Sequence, residues 1–115
     1  MTPHTSDSLR DLTQSTLDFY ARFGVQPQVN ETIQNFREEV NELIEAAEIG
    51  TDQDHIAEEA ADVFVTAIGV CSASGVDVEK LIEQLYKVIA KNNAKTHETH
   101  VYTDGKIRRR FPKKE

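Results

Sequence analysis

Cysteine is almost absent from this chain: Cys71 is the only one in 115 residues. A single cysteine excludes an intramolecular disulfide and a zinc site built from several cysteines. Long apolar runs are also missing, since charged residues interrupt every stretch before it reaches membrane-spanning length. The opening residues, MTPHTSDSLRDL, lack the basic-then-apolar layout of a secretory signal. We therefore expect a cytoplasmic protein without a membrane partner, folded as a single domain over residues 1–115.

Positive charge is scarce over most of the chain. Residues 1–105 hold 7 Lys and Arg against 19 Asp and Glu, a net charge of −12. Residues 106–115, KIRRRFPKKE, hold 6 Lys and Arg against 1 Glu, a net charge of +5. An acidic body repels nucleic acid, so we expect no nucleic-acid partner. The basic tail has the right charge to contact phosphates, although a terminal basic run is more commonly just solvated.

Four segments show helical periodicity, with capping residues at their starts and glycine or polar residues at their ends. The predicted helices run from the Ser6–Asp7 region to Gly24, from an Asn30 cap to Gly50, from Asp52 or Asp54 to Ser74, and from Asp77 to the KNNAKT segment. Four helices with short loops predict an all-α helical bundle. The last segment alternates weakly around Asp104-Gly105, a common turn pair, which predicts a short C-terminal hairpin or an extended tail.

The third predicted helix is apolar nearly all round in its second half, where Val63 to Cys71 reads VFVTAIGVC. Such a helix is buried on more than one side. A bundle of this size rarely encloses one helix completely, so we predict a subunit interface there and a homodimer at least. Cys71 lies within this run and is interpreted as a core residue.

Acidic side chains are concentrated between residues 36 and 64, where Arg37 is the only Lys or Arg. Glu39 and Glu42 lie three apart, as do Glu59 and Asp62, and residues at this spacing share a helix face. At 100° per residue, Glu39 and the second pair flank the apolar stripes of their helices. Because two helices joined by a short loop pack antiparallel, we expect these carboxylates to converge, two from each helix.

Four converging carboxylates repel one another and tend to hold protons unless a cation is bound. Mg²⁺ prefers oxygen ligands, keeps several waters and commonly works with substrate phosphates. The sequence therefore predicts an Mg²⁺ site formed by Glu39, Glu42, Glu59 and Asp62, with Mn²⁺ as a substitute, that assists phosphoryl transfer or phosphate-ester hydrolysis. The alternative interpretation is a solvated acidic face without a metal.

Histidine is poorly placed for a competing metal centre. Glu-x-x-His pairs, which hold two irons in other bundles, are absent from the predicted helices, and His55 precedes Glu58 in the reverse order. His97 and His100 lie three apart outside the predicted helices. We interpret these two histidines as solvated loop residues rather than zinc ligands.

The acidic residues resemble the paired motif of a known family. Glu38-Glu39-Val40-Asn41-Glu42 matches the E-E-x-x-E element of the MazG-like all-α nucleoside triphosphate pyrophosphohydrolases, and Glu59-Ala60-Ala61-Asp62 matches its E-x-x-D partner after 16 intervening residues. The segment SGVDVEKLIEQLYKVIAKNNAK is similar to the family's Gly-Ile-Asp turn and final helix. VYTDGKIRR is similar to the Asp-Gly-Lys tail of members related to phosphoribosyl-ATP pyrophosphohydrolase. The resemblance covers roughly residues 17–110.

This resemblance implies a four-helix MazG-like bundle that splits the α–β phosphate bond of a nucleoside triphosphate into a monophosphate and pyrophosphate. Phosphoribosyl-ATP is a competing substrate. The four predicted ligands would hold Mg²⁺ ions that bridge the triphosphate, and Glu38 and Glu39 would be the catalytic residues, with Glu38 orienting the attacking water or supporting the ligands. A tetramer of paired dimers becomes a candidate assembly. The alternative from another class is a non-catalytic acidic helical module that oligomerises or binds a basic partner.

Several residues are candidates for binding the substrate. Lys91 and Lys95 lie one helical turn apart with Asn92 and Asn93 between them, and we predict that this group contacts the pyrophosphate side. Lysines at a helix C-terminus also oppose the macrodipole, which serves stability alone. Lys106 and the arginines behind it would close over the phosphates if the tail folds back.

The aromatic residues of the first helix, Phe19, Tyr20 and Phe23, form a second candidate group. Phe19 would stack on a nucleotide base. An aromatic stripe at this spacing is more commonly core, and the pattern favours that interpretation.

Overall fold

The computed structural model describes residues 8–111, most of which are helical. The elements are helices α1 (Ser8–Arg22), α2 (Val29–Ile49), α3 (Gln53–Ala73) and α4 (Val78–Asn93) and strands β1 (His100–Thr103) and β2 (Lys106–Arg109). The all-α fold class predicted from the sequence, with four helices and a short C-terminal hairpin, is confirmed. The predicted caps Ser6 and Asp7 and tail residues 112–115 lie outside the described residues. No helix in the described part of the chain is both long enough and apolar enough to cross a bilayer.

Three of the predicted helix boundaries follow local capping chemistry. Gly50 has φ 72° and donates its backbone N–H to the carbonyl of Ala46, which ends α2. The Asp52 carboxylate accepts from the backbone N–H three residues later at 3.1 Å, which caps α3. The Asp77 carboxylate does the same for α4 at 2.8 Å. These ends depend on short-range hydrogen bonds, so the sequence pattern predicts them well.

The start of α2 differs from the prediction. The N-cap is Gln28, with extended backbone and no side-chain capping bond, and the helix begins at Val29. The Thr32 N–H donates to the Gln28 carbonyl at 3.0 Å, so helical hydrogen bonding begins two residues before Asn30. The prediction that Asn30 caps this helix is therefore wrong, and the residue lies in the first turn.

The chain divides into two compact units between Ile82 and Glu83. In the first unit, α2 and α3 pack against each other and α1 packs against α3. The contact of α1 with α3 is close at Gly69, where an added Cβ would lie 2.7 Å from the Tyr20 hydroxyl oxygen. The Arg10 guanidinium forms a two-pronged ion pair with the Glu79 carboxylate, which links α1 to the start of α4.

Few apolar side chains of the first unit are fully buried. Among the described residues of the chain, the buried apolar ones are Ala46, Ile68 and Ile82. Ile44, predicted to lie in the buried stripe of α2, is 48% exposed, and Ala47 is also exposed. Those two assignments are wrong, because the buried side of α2 consists of positions 32 and 46, which are buried, and 33, 36, 39, 40 and 43, which are half-buried. The stripe of α2 thus passes through an acidic residue, Glu39.

The second unit contains the rest of α4 and the hairpin. The antiparallel strands pair His100 with Arg109 at one end and Thr103 with Lys106 at the other. Asp104 and Gly105 both have positive φ, 53° and 73°, as a two-residue type I′ turn requires. The backbone register therefore determines which tail residue faces His100.

Candidate metal centre

Three carboxylates meet where α2 packs against α3. One oxygen each from Glu39, Glu42 and Glu59 lies within 4.8 Å of the others. The first two are one helical turn apart on α2, and the packing of the helices brings the third from α3 to meet them. The structure thus brings together three of the four residues that the sequence predicts as metal ligands.

Two of these three carboxylates are more buried than is usual for an acidic surface, while Glu42 is exposed. Glu59 is only 8% exposed, and Glu39 is half-buried. The Oε2 atoms of Glu39 and Glu59 are buried and have no hydrogen-bond partner among the described residues. Buried polar atoms are nearly always paired in folded proteins. Three oxygen donors with two orphaned atoms fit a hard divalent cation, which would satisfy both.

The electrostatics of the group point the same way. Burial raises the pKa of Glu39, as do a hydrogen bond with Glu42 and the negative charges of Glu42, Asp62 and Glu59. Burial also raises the pKa of Glu59, again with a hydrogen bond and negative charge from Glu42, while the charge of His55 opposes the shift. Glu39 and Glu59 therefore retain protons more readily than ordinary carboxylates do. A bound cation would compete with those protons.

The other two acidic candidates lie at the margin of this group. Asp62 is exposed and outside the group of three, but its charge acts on both Glu39 and Glu59. Glu38 is exposed on α2, as its helical angle predicts, and its carboxylate accepts from the Gln34 side-chain amide at 3.5 Å. Asp62 as a ligand and Glu38 as a catalytic residue stay predictions.

His55, which the sequence analysis rejected as part of a metal site, is a neighbour of this group. Its Nδ1 lies 3.7 Å from one carboxylate oxygen of Glu58 and 3.7 Å from one of Glu59. The three residues follow the i, i+3, i+4 spacing of a single helix face. That spacing was visible in the sequence, but only the burial of Glu59 distinguishes it from a solvated run.

A basic cavity lies in the second unit. Its volume is about 500 Å³, and its lining residues are Lys91, Ala94, Lys95, Thr99, His100 and Arg109. Two predicted phosphate-binding residues, Lys91 and Lys95, therefore share a cavity with Arg109 of the tail. Burial and the charges of Lys95 and Arg109 lower the pKa of His100. His100 is half-buried at the start of β1 and lines this cavity, so its interpretation as a solvated loop residue is wrong.

The remaining predicted substrate contacts lie elsewhere. Asn92 and Asn93 are exposed on the last turn of α4, and Lys106 is exposed at the turn end of the hairpin. Phe19 is 45% exposed and Phe23 70%, with their ring centroids 5.4 Å apart. The interpretation of these two rings as core is wrong, because α1 packs against α3 through Tyr20 instead.

A comparison with known protein families matches a range of the chain that includes this acidic segment. A family model described as phosphoribosyl-ATP pyrophosphohydrolase matches residues 21–88, more than half of the chain. The chain belongs to this family. The phosphoribosyl-ATP pyrophosphohydrolase family is part of the MazG-like nucleotide pyrophosphohydrolase superfamily, so the resemblance found in the sequence is confirmed. Searches of curated proteins and of solved structures return no match.

Membership of the phosphoribosyl-ATP pyrophosphohydrolase family assigns the chain to the pyrophosphohydrolases, a metal-dependent class of enzyme. The matched range includes all four predicted metal ligands. It excludes Phe19, the two cavity lysines and Lys106. The family match therefore covers the acidic centre, whereas the proposed substrate contacts outside the matched range rest on the structure of this chain alone.

The raised pKa values predict how stability depends on pH in metal-free protein. A carboxyl group whose pKa is higher folded than unfolded contributes stability that is complete below the unfolded value, near 4.5, and lost as pH rises through the folded value. Glu39→Gln removes one such group. We therefore expect the free energy of unfolding of this variant to increase relative to wild type as pH rises above about 4.5.

Urea titrations in a chelator, followed by circular dichroism at several pH values, measure that difference. Comparing the two proteins cancels the opposite contribution of Glu79, whose pKa is lowered by its hydrogen bond with Arg10. Saturating Mg²⁺ should increase the free energy of unfolding of wild type more than that of the variant at neutral pH, because the cation replaces the protons. A difference that stays constant with pH would contradict the prediction.

Proposed function

We propose that this protein hydrolyses the α–β phosphate bond of a nucleoside triphosphate in an Mg²⁺-dependent reaction, releasing a monophosphate and pyrophosphate. The observation that carries the proposal is the group formed by Glu39, Glu42 and Glu59, with its two buried, unpaired oxygens. An acidic surface that served only solubility would keep its carboxylates hydrated. This group instead accumulates negative charge in a partly dry site, where cation binding gives a net stabilisation.

The proposed roles follow from the positions of the side chains. Glu39, Glu42 and Glu59 hold the cation, with Asp62 completing the set from the exposed side. When bound, the cation neutralises phosphate oxygens and lowers the pKa of a coordinated water. Glu38, exposed on α2 one residue before Glu39, is proposed to orient the attacking water. Hydrolysis by water needs no covalent nucleophile from the protein.

The basic cavity is proposed to take the phosphates of the substrate. Lys91, Lys95 and Arg109 supply three cationic groups around about 500 Å³, and Thr99, which is hydrogen-bonded to Thr96, also lines the cavity. Anionic oxygens are the ligands that such a cavity favours. Phe19, whose ring is 45% exposed, remains the candidate for stacking on the base.

Replacing Lys95 should weaken the use of substrate without affecting the fold. A hydrogen bond to a charged group contributes about 1.5–3 kcal/mol, so Lys95→Gln should lower kcat/KM by roughly 10- to 100-fold. The matched control is Lys87→Gln on α4, which removes a lysine that pairs with Glu83 at 3.0 Å and does not line the cavity. Equal effects of the two substitutions in steady-state kinetics would refute the role of Lys95.

The experiment that tests the function is a measurement of pyrophosphate release. Canonical and modified nucleoside triphosphates, together with phosphoribosyl-ATP, are incubated with the protein in Mg²⁺ and in Mn²⁺. Turnover of triphosphates supports the proposal, and preferential turnover of phosphoribosyl-ATP identifies the competing substrate. If nothing is hydrolysed with either ion, the chain is a non-catalytic acidic helical module that oligomerises or binds a basic partner.

We also propose that the protein works as a homodimer at least, with a tetramer of paired dimers as the larger assembly. Support comes from the apolar second half of α3, where Phe64 is 60% exposed. Exposed large apolar side chains on a helix this apolar are typical of a subunit interface. A strictly monomeric mass in light scattering at micromolar concentration would contradict the proposal.

A further inference from the structure

The first turns of α3 carry a group of ligand atoms that differs in chemistry from the three carboxylates. His55 contributes a nitrogen, and Glu58 and Glu59 contribute oxygens, with all three atoms within 4.8 Å of one another. The side chains of His55 and Glu58 are 50% and 72% exposed, whereas that of Glu59 is 10% exposed. Glu59, which is buried and has one unpaired oxygen, is thus shared between this group and the group that it forms with Glu39 and Glu42.

The structure points to a second cation position here. We propose that His55, Glu58 and Glu59 bind a divalent transition-metal ion beside the carboxylate site, with Glu59 shared between the two positions. The imidazole nitrogen would make this position selective for Mn²⁺, Co²⁺ or Zn²⁺ over Mg²⁺. The inference rests on the proposed function only through Glu59, since cation binding here requires no catalysis.

Simple ion pairing does not account for the arrangement. At 3.7 Å, His55 Nδ1 is beyond hydrogen-bond distance from both carboxylates. The Oε2 atom of Glu59 is left buried without a partner. The Glu59 oxygen near His55 is the other one, Oε1, and at this distance the imidazole makes no hydrogen bond to it. A cation between Nδ1 and Oε1 would bind both atoms and leave Oε2 to the carboxylate group.

The spacing suits metal coordination with little movement. Ligand atoms about 2.1 Å from an octahedral ion lie about 3 Å apart from their neighbours. Small rotations of the two exposed side chains would close the observed separations to that value. The backbone needs no change, because all three residues belong to one stretch of helix that Asp52 caps through the backbone N–H of residue 55.

The donor set determines which ion is preferred. Imidazole is a common ligand for first-row transition metals, whereas Mg²⁺ keeps oxygen ligands and several waters. The position formed by Glu39, Glu42 and Glu59 offers oxygen alone and remains open to Mg²⁺. The two neighbouring positions would therefore respond differently to the loss of the imidazole.

Metal binding by the isolated protein tests the inference, with no nucleotide present. His55→Gln should lower the affinity for Mn²⁺ at one class of site by about 10- to 100-fold, the effect typical of removing a group that supports a metal. Affinity for Mg²⁺ should change less than about twofold. Calorimetry measures both ions, and pulsed electron paramagnetic resonance of bound Mn²⁺ should show coupling to an imidazole ¹⁴N in wild type that the substitution removes.

His97→Gln is the matched control, because it removes an exposed histidine outside the acidic group. It should leave binding and the nitrogen coupling unchanged. Absence of nitrogen coupling in wild type, or equal losses of Mn²⁺ and Mg²⁺ affinity in the His55 variant, would overturn the inference. Nitrogen coupling together with no hydrolysis of any nucleotide would retain this metal position and reject the proposed function.

Discussion

Replacing Glu59 by Gln should abolish pyrophosphate release, with kcat/KM falling by at least about 100-fold. Substituting residues that only support metal ligands lowers metal affinity or activity by about 10- to 100-fold. Glu59 is placed to contact the cation directly. It is the most buried of the three carboxylates, and one of its oxygens has no partner among the described residues. Gln keeps the size of the side chain but removes the negative charge that holds the cation.

The same substitution should leave the fold intact. Glu59 has a raised pKa in the folded protein, so its loss relieves repulsion in the absence of metal. Circular dichroism and a melting curve in chelator should therefore show a helical protein no less stable than wild type at neutral pH. Glu45→Gln, an identical change at an exposed position of α2, is the control and should retain full turnover. Activity of the Glu59 variant within a few-fold of wild type would remove the proposed metal centre.

Ile68→Ala should destabilise the protein by about 2–5 kcal/mol, the range for removing a large apolar side chain from a core. Ile68 lies on α3, which packs against both α2 and α1, and is 6% exposed. Ala would leave a cavity that the surrounding side chains fill only in part. Urea unfolding at several protein concentrations measures the effect, and a loss below about 1 kcal/mol would contradict it.

Phe64→Ala, on the same helix, separates core packing from subunit contact. Its ring is 60% exposed, so the substitution should change the free energy of unfolding far less than that of Ile68 when measured at low concentration. If α3 forms the proposed interface, the Phe64 variant should instead shift the dimer dissociation to higher protein concentration. Light scattering over a dilution series records that shift. No change in association would place the interface on another surface.

The sequence predicted the features that depend on neighbouring residues. The caps at Asp52 and Asp77 and the glycine at the end of α2 follow from hydrogen bonds that span three or four residues. The pairing of Glu39 with Glu42 follows equally from the pitch of a helix. The acidic motifs were enough to indicate the family, because both lie within single helices.

Tertiary packing decided the rest. Periodicity alone placed Ile44 and Ala47 in the buried stripe of α2, but contact with α3 rotates the buried face toward Ala46 and Glu39. Likewise, no short-range pattern reveals that Glu59 is buried beside His55. Burial is a property of what packs against a helix, and the partner comes from elsewhere in the chain.

The basic cavity shows the same division. The sequence predicted Lys91 and Lys95 one turn apart on the fourth helix, but α4 ends at Asn93, so Lys95 lies beyond the helix end. Both lysines nevertheless line the cavity. Arg109 joins them only because the hairpin register sets it opposite His100. Local chemistry thus determined the helices, their caps and the paired carboxylates of this protein. Long-range packing alone decided which side chains from different elements meet and how deeply they are buried. Burial and electrostatic repulsion depend on distances in space, which the order of residues does not contain.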